Sequence, residues 1–124
     1  MSLDDVSSVD GHYQSGLCLA RSGAFFEAHE EFELAWRACG AEERDFFQGL
    51  VHVVVSAYQG GRGKPVAAES QRQKALRRLG PYAPAHRGLD VALLLGRLEA
   101  AEADPREHLV AGDAQPPVAP EEQE

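Results

Sequence analysis

From Glu43 to Tyr58 apolar side chains fill almost the whole circumference of a helix: Phe46, Phe47, Leu50, Val51, Val53, Val54 and Ala57 leave a narrow strip for Gln48, His52 and, just beyond, Gln59. A helix that can meet water along only one thin strip must be walled in by other elements, so the remainder of the chain has to supply those walls. The valines would also suit a strand. No turn interrupts the run before Gly60, however, and it continues a helical pattern.

The walls read as helices as well. Phe25, His29, Phe32 and Trp36 recur at helical spacing and predict a helix over residues 24–38, closed by Cys39 and Gly40. Residues 11–22 predict an earlier one, capped by Asp10, with Tyr13, Leu17 and Ala20 on one face and Gly23 beyond its end. After the Gly60, Gly61 and Gly63 turn, Pro65 suits the first turn of a fourth helix over 65–79, with Leu76 and Leu79 facing inward and Gly80-Pro81 as its stop. A leucine-rich fifth helix follows over 89–103, ended by Asp104 and Pro105. No alternating run bounded by hairpin chemistry appears. The expected fold is therefore all-α, a compact bundle of about five helices.

Gly16-Leu17, Ala28 and Ala35 echo Gly49-Leu50, Ala68 and Ala75, which loosely resembles two helix-turn-helix units of the tetratricopeptide type without their even period. At 124 residues the chain suffices for one core. We expect a single helical domain over 10–111, a disordered N-terminus over 1–9 and a disordered acidic tail over 112–124, where Pro116, Pro117 and Pro120 stand among acids.

Charge narrows the classes of function. The net −8 sits mostly in the ends, since residues 11–111 hold 13 acidic and 12 basic side chains. Inside the domain, residues 27–45 are acidic and residues 62–87 basic, a dipole expected of solvated helix faces lying near one another. The basic segment lacks interleaved aromatics, which argues against nucleic acid as a partner. No apolar run is long enough to cross a bilayer and no leader precedes the domain, so we expect no membrane association and a cytoplasmic location. Cys18 and Cys39 form no C-x-x-C or zinc pattern and read as buried or half-buried thiols. Gly60 to Lys64 lacks the spacing of a phosphate loop, and no nucleophile constellation stands out.

The chemistry-bearing residues gather on the second and third helices. His29 and Glu33 are one turn apart, Glu27, Glu30 and Glu33 repeat every third residue, and Gln48 and His52 share the polar strip of the third helix. With Trp36 and Arg44 these form the candidate polar cluster. A His and a carboxylate at that spacing offer two metal ligands, and His52 could be the third. That makes His29, Glu33 and His52 two half-sites. Neither the H-E-x-x-H zinc pattern nor paired Glu-x-x-His motifs of di-iron bundles are present. The competing reading buries His29 on its apolar stripe and ties it by hydrogen bonds to Glu33 or Glu30, with Gln48 or His52 approaching from the third helix. The network is the reading we favour, so no cofactor is expected.

The segments F-E-A-H-E followed by E and W, then E-R-D-F-F-Q-G-L, a Gly-rich turn, K-A-L-x-x-L and G-L-D at 88–90 together resemble the domain of unknown function family numbered 309, over residues 12–98. The resemblance implies a small all-helical bacterial or archaeal protein with no established activity. The family's motif positions fall on Phe26, Glu27, His29, Glu30, Glu33, Trp36, Arg44, Gln48, Gly49 and Leu50. Arg62-Gly63 stands where the family often has Gly-Asn. Two classes of function follow. One is a non-catalytic binding or scaffold module that takes a peptide, a protein or a small molecule, or pairs as a homodimer. The alternative is a metal-dependent hydrolase-like enzyme using His29 and the neighbouring glutamates; the fragmentary constellation favours the first.

Overall fold

Val9, Tyr13, Leu17 and Ala20 form one buried stripe, and it is this stripe that carries the first helix, α1, over Ser2–Arg21. The computed structural model describes residues 2–110, with side-chain placement from Ser8 onward. The backbone is thus helical well before the start expected at residue 11, across a segment where disorder was expected. Val9 adds a turn to the stripe, and Asp10 lies within the helix rather than at its cap. The acidic tail expected over 112–124 lies outside the described residues.

Gly23, at φ 86, turns the chain into α2, Phe25–Ala38. A single 3-10 turn, Ala41–Glu43, leads into α3, Arg44–Gly61, and α4 runs Pro65–Leu79 with its proline at the start. α1 lies against α2, α3 against α4, and α2 against α3, so the chain forms two helical hairpins packed side by side. The echo between glycines has a physical basis. A methyl group at Gly16 would run into the ring of Phe32 on α2, and one at Gly49 would come within 2.5 Å of Leu79 Cγ on α4. Each hairpin closes on a glycine that lets a large side chain reach the helix backbone. As expected, α3 is the centre: Phe46, Phe47, Leu50, Val51, Val53 and Val54 are all buried.

The end of the domain departs from the sequence reading. Two short strands, β1 (Ala85–His86) and β2 (Leu89–Asp90), pair antiparallel in register Ala85 with Asp90 and His86 with Leu89. Their turn, Arg87 at φ 49 and Gly88 at φ 76, has the two consecutive positive φ values that a type I′ hairpin requires. Arginine is a poor signal for such a turn, and strands of two residues carry no alternation, so nothing local announced it. Because Leu89 and Asp90 belong to β2, the next helix, α5, is only Val91–Glu99, with the Asp90 side chain accepting from the Leu93 backbone N–H as its cap. A sixth helix, α6, follows at Pro105–His108, capped by Asp104. No described helix is long and apolar enough to cross a membrane.

Candidate functional site

The side of α2 that enters the core is Ala28, Phe32 and Ala35. Small side chains at 28 and 35 let neighbouring helices approach there, and the stripe of Phe25, His29 and Trp36 is left at the edge, half-buried. This corrects the expectation that His29 is buried: its side chain is 26% exposed, and its Nε2 stands 3.3 Å from Glu33 Oε2. Glu33 therefore faces His29, while Glu27 and Glu30 are exposed to solvent.

The candidate cluster does not converge. Trp36 and Arg44 do meet, with the guanidinium 4.8 Å from the ring centroid. His52 turns the other way, toward α4, where its Nδ1–H donates to Gln71 Oε1 at 2.7 Å. Burial holds the His52 imidazole below its ordinary pKa of 6.5, partly countered by the Gln71 hydrogen bond, and the nearby cations Arg78, Lys74 and Arg77 push the same way as burial. Gln48 is half-buried on the strip between these pairs. Among the described residues, no three His, Cys, Asp or Glu side chains come together in a way that could hold a metal ion. Neither cysteine supplies a reactive group in this region: Cys18 is exposed rather than buried, and the half-buried Cys39 donates its S–H to the Trp36 carbonyl, its thiol pushed up by burial.

What α2 and α3 do build together is a small apolar cleft. Phe25, Phe26 and His29 line one side and Val55, Tyr58 and Gln59 the other, around about 200 Å³. Phe26 is 49% exposed, and its ring lies 5.9 Å from that of Tyr58 and 6.0 Å from that of His29. Arg62 covers Tyr58 from beyond, 5.3 Å from the ring centroid. Gln59 also lines the cleft, and its Oε1, shielded from solvent, accepts no hydrogen bond from the protein, which sets it apart from every other buried side-chain oxygen or nitrogen among the described residues. A larger cleft of about 510 Å³ between α3, α4 and α5 is different in kind. There Arg72 is spent on Glu69 and the Leu98 carbonyl, and the Ser56 hydroxyl donates to the Ala68 carbonyl.

A second polar cluster went unseen in the sequence reading. Glu43, at the start of α3, receives Arg87 through two bonds, Nε at 2.5 Å and the second at 2.9 Å, and its Oε2 also lies 2.8 Å from His86 Nε2. Arg87 further lies over the rings of Tyr13 and Phe47 and within 3.5 Å of Asp10. The Arg87 hydrogen bonds hold the Glu43 carboxyl below its ordinary range, against the opposing effect of burial. The Tyr13 hydroxyl, pushed up to about 12 by burial, stays protonated and donates to the Arg87 carbonyl at 3.1 Å. The partners are 44 residues apart in sequence, and the only local trace was Glu43 within the E-R-D-F-F segment. Each polar group in this cluster already has a partner in the protein, so it fixes the hairpin onto the bundle.

Residues 13–71 match the family model described as domain of unknown function (DUF309). That span takes in α1 from Tyr13, all of α2 and α3 and half of α4, and so every residue lining the α2–α3 cleft. No curated protein and no solved structure matches the chain.

Proposed function

Over residues 13–71 the chain belongs to the DUF309 family, and we propose that this helical domain is a non-catalytic binding module whose working surface is the cleft between α2 and α3. The observation that carries the reading is Phe26: a large apolar ring, half in solvent on a helix whose neighbouring surface is glutamate, set at the mouth of a concave apolar cleft. Single exposed hydrophobes are common, but one that rims a concavity lined by two further aromatics is the arrangement of an anchor site. His29 and Glu33 at the rim orient the ligand. The ligand would be a peptide or another protein met in the cytoplasm, and the role of the module is to hold it.

Peptides selected from a random library against the wild-type domain test this. They are expected to lose about tenfold in affinity on Phe26→Ala, the cost of about 1.4 kcal/mol for an anchor contact. Selected peptides that bind the Phe26→Ala variant as tightly as wild type, or a selection that yields no binders, would overturn the reading.

A further inference from the structure

We infer that a second binding surface, separate from the α2–α3 cleft, receives an acidic segment of a partner polypeptide on the face where α3 lies beside α4. Its residues stand in two facing columns. On α3, Arg44, Gln48 and His52 follow one another at one-turn spacing, and on α4 Arg78, Lys74 and Gln71 do the same. Two contacts set the columns side by side: Arg78 Nη1 stands 2.6 Å from Asp45 Oδ1 at the start of α3, and His52 donates to Gln71. Arg77 lies at the outer edge, near enough to His52 for its charge to act on the imidazole, as those of Arg78 and Lys74 do.

Uncompensated charge is the first ground. Between the acidic segment 27–45 and the basic segment 62–87, the structure pairs Asp45 with Arg78, and Glu43 with Arg87 and His86. Other acids of that segment turn to histidines, Glu31 to His12 and Glu33 to His29. Among the described residues, Arg44, Lys74 and Arg77 enter no ion pair. On a chain of net charge −8, a face that gathers cations without counter-charge draws an anion to that one place. His52 already feels the field, since the three α4 cations oppose its protonation in the same direction as burial.

Donor geometry is the second ground, and it selects carboxylates on a short stretch of chain. The Arg44 guanidinium lies over Trp36, 4.8 Å from the ring centroid, a stack that holds its plane and leaves the N–H edge available. Arginine forks match carboxylate oxygens two at a time, and the half-buried Gln48 between the columns adds amide N–H donors. Arg44 and His52 are two helical turns apart, about 12 Å, a distance that about four residues of extended polypeptide span. A nucleic-acid surface needs a longer basic groove and aromatic faces offered to the bases, whereas here Trp36 is covered by Arg44.

The test titrates the isotope-labelled full chain, followed by NMR, with a short peptide of alternating glutamate and glycine, its glutamine counterpart, inorganic phosphate, and a thymidine oligonucleotide of the same charge as the glutamate peptide. The glutamate peptide is expected to move the Trp36 indole, Gln48 amide and His52 imidazole resonances to saturation, and to bind more weakly as salt rises. Lys74→Gln with Arg77→Gln should weaken it about fivefold, the worth of two exposed ion pairs. Lys64→Gln with Arg97→Gln removes the same charge from other exposed positions and should change the affinity less than about twofold. No saturable shift, an equal response to the glutamine peptide, or equal loss in the two double variants would overturn the inference. So would the same shifts with phosphate at the same concentration, which make the face a general anion site, or tighter binding of the oligonucleotide, which makes it a nucleic-acid surface. Movement of these resonances without peptide would also overturn it. On dilution it would assign the face to a second copy, and on Asp113→Asn with Glu121→Gln, Glu122→Gln and Glu124→Gln to the chain's own acidic tail. None of these readouts involves Phe26, so the peptide selection at the cleft succeeds or fails by itself.

Discussion

At the scale of single residues the informative case is His29. Its spacing from Phe25, Phe32 and Trp36 made it look like a buried imidazole in need of several partners, but α2 is rotated so that Ala28, Phe32 and Ala35 face the core and His29 sits at the rim. A half-exposed histidine with one carboxylate at 3.3 Å stabilises the fold little, because exposed ion pairs contribute about 0.2–1 kcal/mol. His29→Ala should therefore lower stability by less than about 1 kcal/mol in urea unfolding, and added zinc or manganese should leave the wild-type melting temperature where it was. A metal-dependent rise in melting temperature, absent from the mutant, would restore His29 and Glu33 as ligands. The sequence identified which residues are polar on α2 and α3. It did not identify which of them meet, because a stripe of helical period has two edges and side-chain volume on the neighbouring helices selects between them.

Between elements, the two hairpins depend on close approach. Ordinarily a glycine within a helix is improved by alanine, by about 1 kcal/mol, through the helix propensity of the methyl group. At Gly49 that gain should reverse, since the new Cβ would stand 2.5 Å from Cγ of Leu79, a side chain fully buried in the core. Gly49→Ala is expected to destabilise by about 1–3 kcal/mol, the usual cost of overpacking. Gly61→Ala, on the same helix with open space around it, serves as the control and should be neutral or stabilising. Equal behaviour of the two variants in denaturant titrations would mean that α3 and α4 can slide apart at little cost. The repeat-like echo of Gly16 and Gly49 was legible in the sequence, and the structure gives it meaning as two points where a side chain meets backbone.

For the whole molecule, Glu43 and His52 are two of the groups through which stability responds to acid, beside the carboxylates of Asp104 and Glu69. Glu43 is held below its ordinary pKa of 4.5 chiefly by the Arg87 hydrogen bonds, so its contribution is complete above that value and is lost as pH falls through its lower folded-state pKa. His52 is held below 6.5 chiefly by burial; the folded protein resists protonating it while the unfolded chain does not, so stability is complete above 6.5 and declines as pH falls through the lower folded-state value. The domain should thus weaken in more than one stage on acidification, and His52→Gln should flatten the stage that sets in as pH falls below the ordinary histidine value of 6.5, while leaving the carboxylate stage at lower pH intact. An unchanged pH profile in that mutant would remove His52 from the account. The all-α class, the central third helix, the fourth helix and the apolar face of the first could all be read from the sequence, because periodicity, glycine and proline act within a few residues and owe nothing to distant partners. The Arg87-Gly88 hairpin, the Glu43 clasp that holds it, the shortened fifth helix and the meeting of Phe26, Tyr58 and Gln59 in one cleft were decided only by tertiary structure. Each depends on side chains far apart in the chain, whose contact energies exist only after the helices have packed.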